Sequence, residues 1–517
     1  MSSPPTTTKA PPQNGRQLLP PSMACTSILD NDLYKFTMQQ AVLQHYPSTP
    51  CSYHFTNRSP LRARLPHAAL PWLQSKIDAM GELRLTKGER EFLERRCPYL
   101  GEAYLNWLEK EFRFRPEKEV KVDWKVGGGS GVVESEPGSP RMSDNRVDES
   151  GEQQDATVTT TNKLGSTGLI DSRIAELQHQ AGSNKKDEEI VEITIQGEWH
   201  QVILYEVPLL ALVSEAYFRF GDRDWSYDGQ FEAARDKSQR LVDSGASFAE
   251  FGTRRRRDYE TQRIVMQGLI AGSAAVSSLN DTDGVRAMTA QEAIAAGKGF
   301  LTGTSNLHFA HKFNITPIGT MAHEWFMGTA AILGDASQAN QVALDRWAQT
   351  YPSQVLGIAL TDTFTTEVFL KTFKGSLARD WTGVRHDSGD AFEFMDRMIH
   401  HYDQDPLVGP EMRKKKRIVF SDGLDTELAV RLYRSAVEKG IGATFGIGTH
   451  FTNDYHHLSS FGGEEGAEKT KSPAMNIVIK LHSCAGRECV KLSDDHGKES
   501  GSAEAVALVK RQIATLV

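Results

Sequence analysis

Short apolar runs that each end in a polar residue recur through the second half of the chain, and this pattern constrains the fold most. Asp362, Asp387, Asp422 and Thr449 end four such runs and lie 25, 35 and 27 residues apart. Amphipathic helical patterns lie between most of the runs. That spacing matches one β-strand plus one crossover helix, so we predict a parallel sheet, open or closed into a barrel. Such sheets carry their sites at the carboxyl ends of the strands, which makes these polar residues the first candidates for a site.

Two segments of low complexity divide the rest of the chain. Residues 1–24 are rich in Pro, Thr and Ser, and residues 127–189 are mostly polar with almost no aromatic side chains. Such compositions bury too little surface to offset the entropy of ordering, so we predict a disordered tail and a disordered insertion. Strand-like alternation lies before the insertion at 112–115 and 120–122, and after it at 190–195.

The C-terminal segment returns to strand patterns at 475–481 and 488–492 and ends in a helical pattern at 503–514. We therefore predict an α/β protein with two folded parts. A parallel-sheet domain covers 208–456 and begins with a helix whose first position is Pro208. A smaller mixed α+β domain takes residues 25–126, a strand pair at 190–207, and residues 457–517, so that it is built from both chain ends.

Composition excludes several classes of protein. Lys and Arg total 59 and Asp and Glu total 67, which gives a net charge of −8 spread along the chain. A general nucleic-acid binder would need clustered basic residues. No stretch is predicted to span a bilayer, and the N-terminus lacks the apolar region of a secretory signal. The five cysteines show neither metal-ligand spacing nor an even disulfide framework, which favours a reducing, intracellular compartment.

Three segments suit an anionic ligand. Ser421-Asp422-Gly423 and Phe445-Gly446-Ile447-Gly448-Thr449 are small-residue turns after strands, where backbone N–H groups and the start of a helix attract anions. Tight βα turns explain them as well, because neither is a Walker A loop or a dinucleotide fingerprint. Phe251–Arg257 carries four consecutive arginines after a Gly-Thr turn. At least one should reach the carboxyl edge of the sheet and grip a phosphate or carboxylate; a solvated face is the equal alternative.

Two further segments carry groups for acid–base, nucleophilic or metal chemistry. Pro317–Trp325 places His323 after a strand and a Gly-Thr turn. An imidazole there could be a general base, a metal ligand, a nucleophile or a satisfied structural group. Trp381–Asp390 brings a cation, an imidazole and carboxylates within one turn. Asp362 and Asp387 could share a Mg²⁺ that grips a diphosphate, whereas a structural Arg–Asp pair is the bland alternative.

Together these motifs resemble the nicotinate phosphoribosyltransferase family. The resemblance runs in family order from residue 28 to about 455, and the insertion at 127–189 and the N-terminal tail have no counterpart in it. The matching segments are Asp32–Lys35, Phe251–Arg254, Gly303–Asn306, Gly319–Glu324, Arg385–Gly389, Ser421–Gly423 and Phe445–Thr449. The resemblance implies an irregular α/β barrel beside the smaller mixed domain. It also implies an ATP-coupled enzyme, classed as a ligase, that makes nicotinate mononucleotide and pyrophosphate from nicotinate and 5-phosphoribosyl 1-diphosphate (PRPP) in NAD salvage.

The resemblance also assigns roles to residues. ATP would phosphorylate His323, and Asp362 and Asp387 would orient it and serve Mg²⁺. Tyr34 and Phe251 would sandwich the pyridine ring, and Thr320 and Arg385 would address nicotinate, with Arg385 pairing its carboxylate. The residues implied for the ribose and phosphates of PRPP are Arg254, Ser421, Asp422, Gly423, Gly448 and Thr449.

Alternatives remain open at this level. Nicotinamide phosphoribosyltransferases of the same fold carry an Asp where this chain has Ser305, and an acidic group there would repel nicotinate. Quinolinate phosphoribosyltransferases lack the His323 motif, and a catalytically silent metabolite-binding regulator belongs to another class. The expected partners are small molecules, with no nucleic acid and no membrane. The expected location is the cytoplasm, with or without the nucleus. Many relatives are homodimers and others act alone, so oligomeric state is open.

Overall fold

The computed structural model describes residues 19–59, 64–127, 188–273, 289–351, 355–461, 469–495 and 498–516. The chain divides into two compact units, residues 1–123 with 191–517, and residues 124–190. Of the second unit only 124–127 and 188–190 are described. The predicted insertion at 127–189 and most of the predicted tail therefore lie outside the described residues.

Strands and helices alternate from Phe248 onward, as the spacing predicts. The described strands are β1 (Pro50–Asn57), β2 (Val120–Gly127), β3 (Glu188–Glu198), β4 (Phe248–Glu250), β5 (Leu301–Thr304), β6 (Ile358–Leu360), β7 (Gly383–His386), β8 (Arg417–Phe420), β9 (Gly442–Ile447), β10 (Tyr455–His456), β11 (Lys471–Ser472), β12 (Ile477–Cys484) and β13 (Arg487–Glu488). The described α-helices are Leu33–His45, Leu70–Ala79, Lys87–Arg96, Glu102–Lys110, Pro116–Glu119, Trp199–Val202, Glu206–Ala216, Gln230–Ser244, Tyr259–Gly272, Ala290–Ala295, Leu307–Phe313, His323–Leu333, Ala339–Thr350, Thr366–Thr372, Ser376–Asp380, Ala391–Gln404, Gly409–Arg413, Thr426–Lys439, Thr449–Thr452 and Ala503–Ile513.

Six strands form the predicted parallel sheet, in the order β5-β4-β9-β8-β7-β6. One face of its centre is apolar, where Val384, Ile418 and Phe420 are fully buried. Within the described residues the ladder does not close from β5 to β6. The fold is therefore confirmed as mixed α/β with a parallel sheet, and a closed barrel is not confirmed.

The gap between β5 and β6 is crossed by the segment at 317–320, which is predicted as a strand but is not one. Pro317 forms a single bridge with Thr304, and the Ile318 N–H donates to the Thr304 carbonyl at 2.8 Å. On the other side the Thr320 hydroxyl donates to the Ile358 carbonyl at 3.3 Å. Because β5 ends at Thr304, its pairing with this segment stops after the one bridge at Pro317.

The second sheet has five strands in the order β13-β12-β1-β3-β2, and the resolved pairs of β1 and β12 are antiparallel. Its strands come from both ends of the chain, as predicted. Two predicted strands are wrong. Residues 112–115 are not a strand, because no described strand pairs with the extended segment before Pro116, which instead buries Phe112 and Phe114. Of 488–492 only Glu488 joins β13, and Lys491 forms a single bridge with Ser500.

The core helix runs from Trp199 rather than from Pro208. The stretch Trp199–Gly221 is helical throughout, so Pro208 lies in the first turn of a later segment, Glu206–Ala216, and not at its first position. Trp199–Gly221 is also long and apolar enough to cross a membrane, which corrects the sequence-based prediction that no stretch qualifies. Its most apolar window is completely buried in protein, and Glu206 forms an ion pair with Lys35. It is the central helix of the fold.

Candidate active site

A cavity of about 710 Å³ lies at the carboxyl ends of β4, β7, β8 and β9. Eleven of the predicted site residues line it, namely Tyr34, Phe251, Arg254, His323, Arg385, Asp387, Ser421, Asp422, Gly423, Gly448 and Thr449. Asp362 lies directly behind His323, and Thr320 is held by its bond to Ile358. Neither Thr320 nor Asp362 lines the cavity. The polar residues that the sequence places at strand ends therefore lie around one cavity.

His323 is the first residue of its helix and faces the cavity between two carboxylates. Its Nε2 lies 2.9 Å from Asp387 Oδ2 and 3.8 Å from Asp362 Oδ1, and its Nδ1 lies 3.2 Å from the Thr363 hydroxyl. Lys491 Nζ approaches the same Nε2 at 3.0 Å. Burial and then Lys491 lower the pKa of His323, although the two aspartates act in the opposite sense. A neutral imidazole with an available lone pair is the form that a nucleophile requires.

Arg385 and Ser421 hold Asp387 in place from neighbouring strands. Arg385 Nη2 donates to Asp387 Oδ1 at 2.6 Å, and Arg385 Nε donates to the Ser421 hydroxyl at 2.8 Å. Burial alone would raise the pKa of Asp387, but Arg385 and His323 bring it well below its usual range. Asp387 is therefore ionised beside His323. Among the described residues, Arg385 Nη1 has only a long contact with the Met321 carbonyl at 3.4 Å, so this nitrogen is available to a ligand.

The two glycine-containing turns differ in what their glycines do. Gly423 has φ +59°, the left-handed region, and a Cβ there would meet no atom within 4 Å. A Cβ on Gly448 would lie 2.8 Å from the Phe251 carbonyl oxygen, and one on Gly446 would lie 2.3 Å from the Phe251 ring. The second turn is therefore small because Phe251 packs on it. This arrangement holds the Phe251 ring at the cavity wall.

The four arginines divide into two buried and two cavity-lining side chains. Arg256 is fully buried in a bidentate pair with Asp30, at 2.8 and 2.7 Å. Arg257 is also fully buried, and its guanidinium lies 4.1 Å from the centre of the Phe218 ring. Arg254 and Arg255 line the cavity. The structure thus separates two buried arginines from two that line the cavity, which composition cannot do.

Five cations that the sequence analysis did not single out also line the cavity. They are Lys471 in β11 and, from the second sheet and the segments beside it, Arg58, Lys480, Lys491 and Lys498. Burial, with Arg58 and Lys491 nearby, lowers the pKa of Lys480 to about 8. Burial, with Arg254 and Arg58, lowers the pKa of Arg255 to about 10. Crowded cations of this kind favour a ligand with several negative charges. In the sequence, β12 alternates lysine with apolar residues like an ordinary half-buried strand. This pattern does not identify the cations as residues of a site.

A buried ion cluster lies behind Tyr34 and His323. Lys35 is completely buried and pairs with Glu206 and with Glu324, the latter at 2.5 Å. Glu206 in turn lies 3.5 Å from Arg254 Nη1. Burial raises the pKa of Glu324 to about 7, against the opposing effect of Lys35. Because Tyr34 precedes Lys35 and His323 precedes Glu324, this cluster ties the helices that carry two of the cavity residues.

Ser305, the residue that distinguishes nicotinate from nicotinamide enzymes by resemblance, does not line the cavity. Its hydroxyl donates to Asp32 Oδ1 at 2.8 Å, and both residues are buried. Ser305 is therefore committed to the turn before Tyr34. Ser305 therefore gives no structural reason to favour a carboxylate substrate.

The carboxylates behind His323 fit a Mg²⁺ site completed by substrate. Asp362 Oδ1 is buried and has no hydrogen-bond partner among the residues that the structure describes, while its Oδ2 accepts from Ser388 at 2.5 Å and from Lys491 at 2.9 Å. Within the described ranges no group of three or more His, Cys, Asp or Glu side chains could hold a metal. Mg²⁺ commonly takes one or two carboxylates and fills its shell with water and phosphate oxygens. Asp362 and Asp387 suit that arrangement.

A parallel α/β sheet with a cation-rich cavity and a partly buried His–Asp pair at its carboxyl edge is typical of an enzyme that handles a phosphorylated small molecule. Comparison with known proteins makes this specific. A sequence model of the nicotinate phosphoribosyltransferase family matches residues 246–515, and the model of its N-terminal domain matches residues 29–139. The chain belongs to the nicotinate phosphoribosyltransferase family.

Individual relatives agree along the whole chain. A probable nicotinate phosphoribosyltransferase of Schizosaccharomyces pombe is 39% identical over 494 residues, covering 95% of this chain and 98% of that protein. The nicotinate phosphoribosyltransferase of Saccharomyces cerevisiae is 36% identical over 488 residues, 94% of each chain. The crystal structure of a putative nicotinate phosphoribosyltransferase from S. cerevisiae superimposes with a TM-score of 0.75 at 35% identity, covering 94% of this chain and 98% of that one. The Porphyromonas gingivalis enzyme gives 0.69 at 30% identity, with 94% and 99% coverage.

Proposed function

We propose that this protein is a nicotinate phosphoribosyltransferase of NAD biosynthesis that couples the transfer to ATP hydrolysis through a phosphohistidine at His323. Family membership and the named relatives support the assignment of the transferase activity. The observation that supports the ATP-coupled route is the position of His323, whose Nε2 faces the cavity 2.9 Å from an ionised Asp387. A histidine with only a structural role would not need one ring nitrogen to face a carboxylate, a lysine and a cavity large enough for a phosphate.

The pyridine ring is proposed to lie between Tyr34 and Phe251, which both line the cavity. The free Nη1 of Arg385 would pair the nicotinate carboxylate. Thr320 is a weaker candidate for this role, because its hydroxyl is engaged with Ile358. The ribose and phosphates of PRPP are proposed to bind the group on β4, β8 and β9, comprising Arg254, Ser421, Asp422, Gly423, Gly448 and Thr449.

Transfer needs no base at the pyridine, because its ring nitrogen already carries a lone pair. The nitrogen attacks the anomeric carbon of PRPP as the bond from that carbon to the diphosphate breaks, and the diphosphate leaves with the electron pair. The cavity cations stabilise the departing charge, and the walls hold ring and sugar in line. A Mg²⁺ held by Asp362 and Asp387 would neutralise phosphate oxygens. Hydrolysis of a reactive phosphohistidine would make the otherwise reversible transfer favourable.

We also propose the finer architectural and cellular assignments that the family suggests. They are an irregular barrel for the six-stranded sheet, a cytoplasmic location and a homodimer. Sedimentation of the purified protein would test the last of these.

The decisive assay compares three acceptors. Purified protein is incubated with PRPP and nicotinate, nicotinamide or quinolinate, with and without ATP, and the nucleotide products are separated. We expect nicotinate mononucleotide, with a higher yield when ATP is present. Preferential use of nicotinamide would support the nicotinamide enzyme of this fold. No product with any acceptor would support a silent binding protein.

A further inference from the structure

Lys491 contacts both His323 and Asp362, although no motif in the sequence marks it. Its Nζ lies 3.0 Å from His323 Nε2 and 2.9 Å from Asp362 Oδ2. The side chain is 13% exposed and lines the cavity. It comes from the C-terminal segment beside the antiparallel sheet and reaches the first residue of the helix His323–Leu333. The lysine therefore lies at the centre of the proposed chemistry.

The backbone around Lys491 is fixed to the loop that carries Asp362 and Thr363. The Leu492 N–H donates to the Thr363 carbonyl at 2.8 Å. Lys491 and Ser500 exchange both backbone hydrogen bonds, at 3.1 and 2.9 Å. These attachments, at Lys491 itself and at the next residue, hold the lysine side chain at a set distance from His323. Such preorganised donors are effective where charge develops during a reaction.

His323 Nε2 faces a hydrogen-bond acceptor and a donor at once. With a proton it donates to Asp387, and with a lone pair it accepts from the Lys491 ammonium. The lone pair is what attacks phosphorus. Lys491 therefore lies on the side from which a phosphoryl group would approach, and its ammonium must pass to the phosphoryl oxygens as the lone pair is used.

The charges around His323 also favour a role for Lys491 in binding a phosphoryl group. A phosphoryl group on Nε2 would sit beside Asp387 and Asp362, and like charges at such distances repel strongly in a partly buried site. Arg385 reaches Asp387 rather than the imidazole. A positively charged group close to the imidazole would offset this repulsion. Among the contacts of His323 found in the described parts of the chain, that group is the ammonium of Lys491.

We propose that Lys491 binds the phosphoryl group that ATP transfers to His323. The inference rests on the proposed phosphohistidine route. The Nε2 lone pair forms the N–P bond while the bond from the γ-phosphorus to the bridging oxygen breaks, and ADP leaves with that electron pair. The imidazole proton stays on Nδ1, beside the Thr363 hydroxyl at 3.2 Å. Charge-assisted bonds from Nζ to the phosphoryl oxygens stabilise the transition state and the phosphoprotein.

The test follows acid-labile phosphate on the protein after mixing with γ-labelled ATP. Lys491→Met should slow label incorporation by roughly 10²–10³-fold, the loss typical of removing one preorganised donor. Lys491→Arg should recover part of that rate. Lys510→Met is the matched control, because Lys510 is half exposed, pairs with Glu499 and lies outside the cavity. It should incorporate label at the parental rate.

A second variant separates chemistry from folding. Lys491→Cys can be alkylated with 2-bromoethylamine to rebuild an ammonium, while the five native cysteines are buried. The alkylated form should regain labelling that the same preparation lacks before alkylation. Equal labelling of the parent and Lys491→Met, or no recovery on alkylation, would overturn the role of Lys491 alone. A parent that never acquires the label would overturn the phosphohistidine route and this role with it.

Discussion

Arg385 donates through Nη2 to Asp387 Oδ1 at 2.6 Å, while the other oxygen of Asp387 lies 2.9 Å from His323. One carboxylate thus links the proposed nicotinate-binding arginine to the proposed phosphorylated histidine. Occupancy of the pyridine site and the state of His323 are expected to influence each other through Asp387. Ser421 reinforces the link, because its hydroxyl accepts from Arg385 Nε and lies 2.8 Å from Asp387.

Replacement of Arg385 by Gln should raise the Michaelis constant for nicotinate far more than that for PRPP. A charge-assisted pair lost from a partly buried site costs roughly 2–4 kcal/mol. Nicotinamide carries no charge, so its weak use should fall much less. The readout is the nicotinate-to-nicotinamide preference of variant and parent, with Ser421→Ala as a control that loosens Arg385 without removing it. An unchanged preference with a raised PRPP constant would assign Arg385 to a phosphate.

Lys35→Met should destabilise the fold strongly, because it leaves Glu324 buried without its cation and Glu206 with only Arg254, at 3.5 Å. Breaking a buried pair on one side costs about 3–5 kcal/mol. Urea unfolding measures the free energy, and Lys87→Met, at an exposed pair with Glu91, should change it by less than about 1 kcal/mol. Adding Glu324→Gln to Lys35→Met should recover part of the loss. A Lys35→Met variant as stable as the Lys87→Met control would show that the cluster is not structural.

Glu250, at the end of β4, should make stability fall as pH rises. Burial raises its pKa from 4.5 to about 7, against hydrogen bonds from Thr304, Gly252 and Gln262. Between these two values the unfolded carboxyl is ionised and the folded one keeps its proton. Its contribution is therefore complete below about pH 4.5 and lost by about pH 7, up to roughly 3 kcal/mol.

Unfolding free energies of Glu250→Gln and the parent, measured from pH 4.5 to 8, test this expectation. The difference between the two proteins should change across that window. Glu91→Gln, at an exposed carboxylate, serves as the control. Parallel curves for Glu250→Gln and the parent would argue against a protonated Glu250.

Deletion of about Ser130–Lys186, with a short linker between β2 and β3, should leave activity and melting temperature nearly unchanged. β2 and β3 are neighbours in the antiparallel sheet, so a short connection can span them. Shortening a long loop changes its closure entropy by only roughly a kcal/mol. Soluble yield, melting temperature and steady-state rate are compared with those of the full chain. Loss of soluble protein would mean that the segment contributes to folding.

The sequence predicts best what is local and periodic. Strand-plus-helix spacing places Asp387, Asp422 and Thr449 at the ends of parallel strands, and the structure gathers them around one cavity. Prediction from the sequence fails where two residues that contact each other are far apart in the chain. Lys491 lies 168 residues from His323 and looks like any lysine after an apolar residue. Pairing between Arg256 and Asp30 spans 226 residues, so a buried ion pair and a ligand-binding arginine look alike in one basic run.

The same limitation explains the errors in local structure. A strand needs a neighbour as well as a pattern, and the segment at 112–115 has the alternation without the neighbour. By resemblance, Ser305 would favour nicotinate as the substrate. Its hydrogen bond to Asp32 removes the structural basis for that interpretation. Each of these outcomes depends on tertiary contacts that no window of sequence contains.

Phosphorylation of His323 tests the account most directly. Parent and His323→Ala are incubated with γ-labelled ATP, then assayed for acid-labile phosphate and for nicotinate mononucleotide formation with and without ATP. We predict a labile phosphate in the parent that the variant lacks. ATP should stimulate transfer by the parent but not by the variant, while slow uncoupled transfer survives because the PRPP contacts remain. Retention of the labile phosphate and of ATP stimulation in His323→Ala would contradict the account.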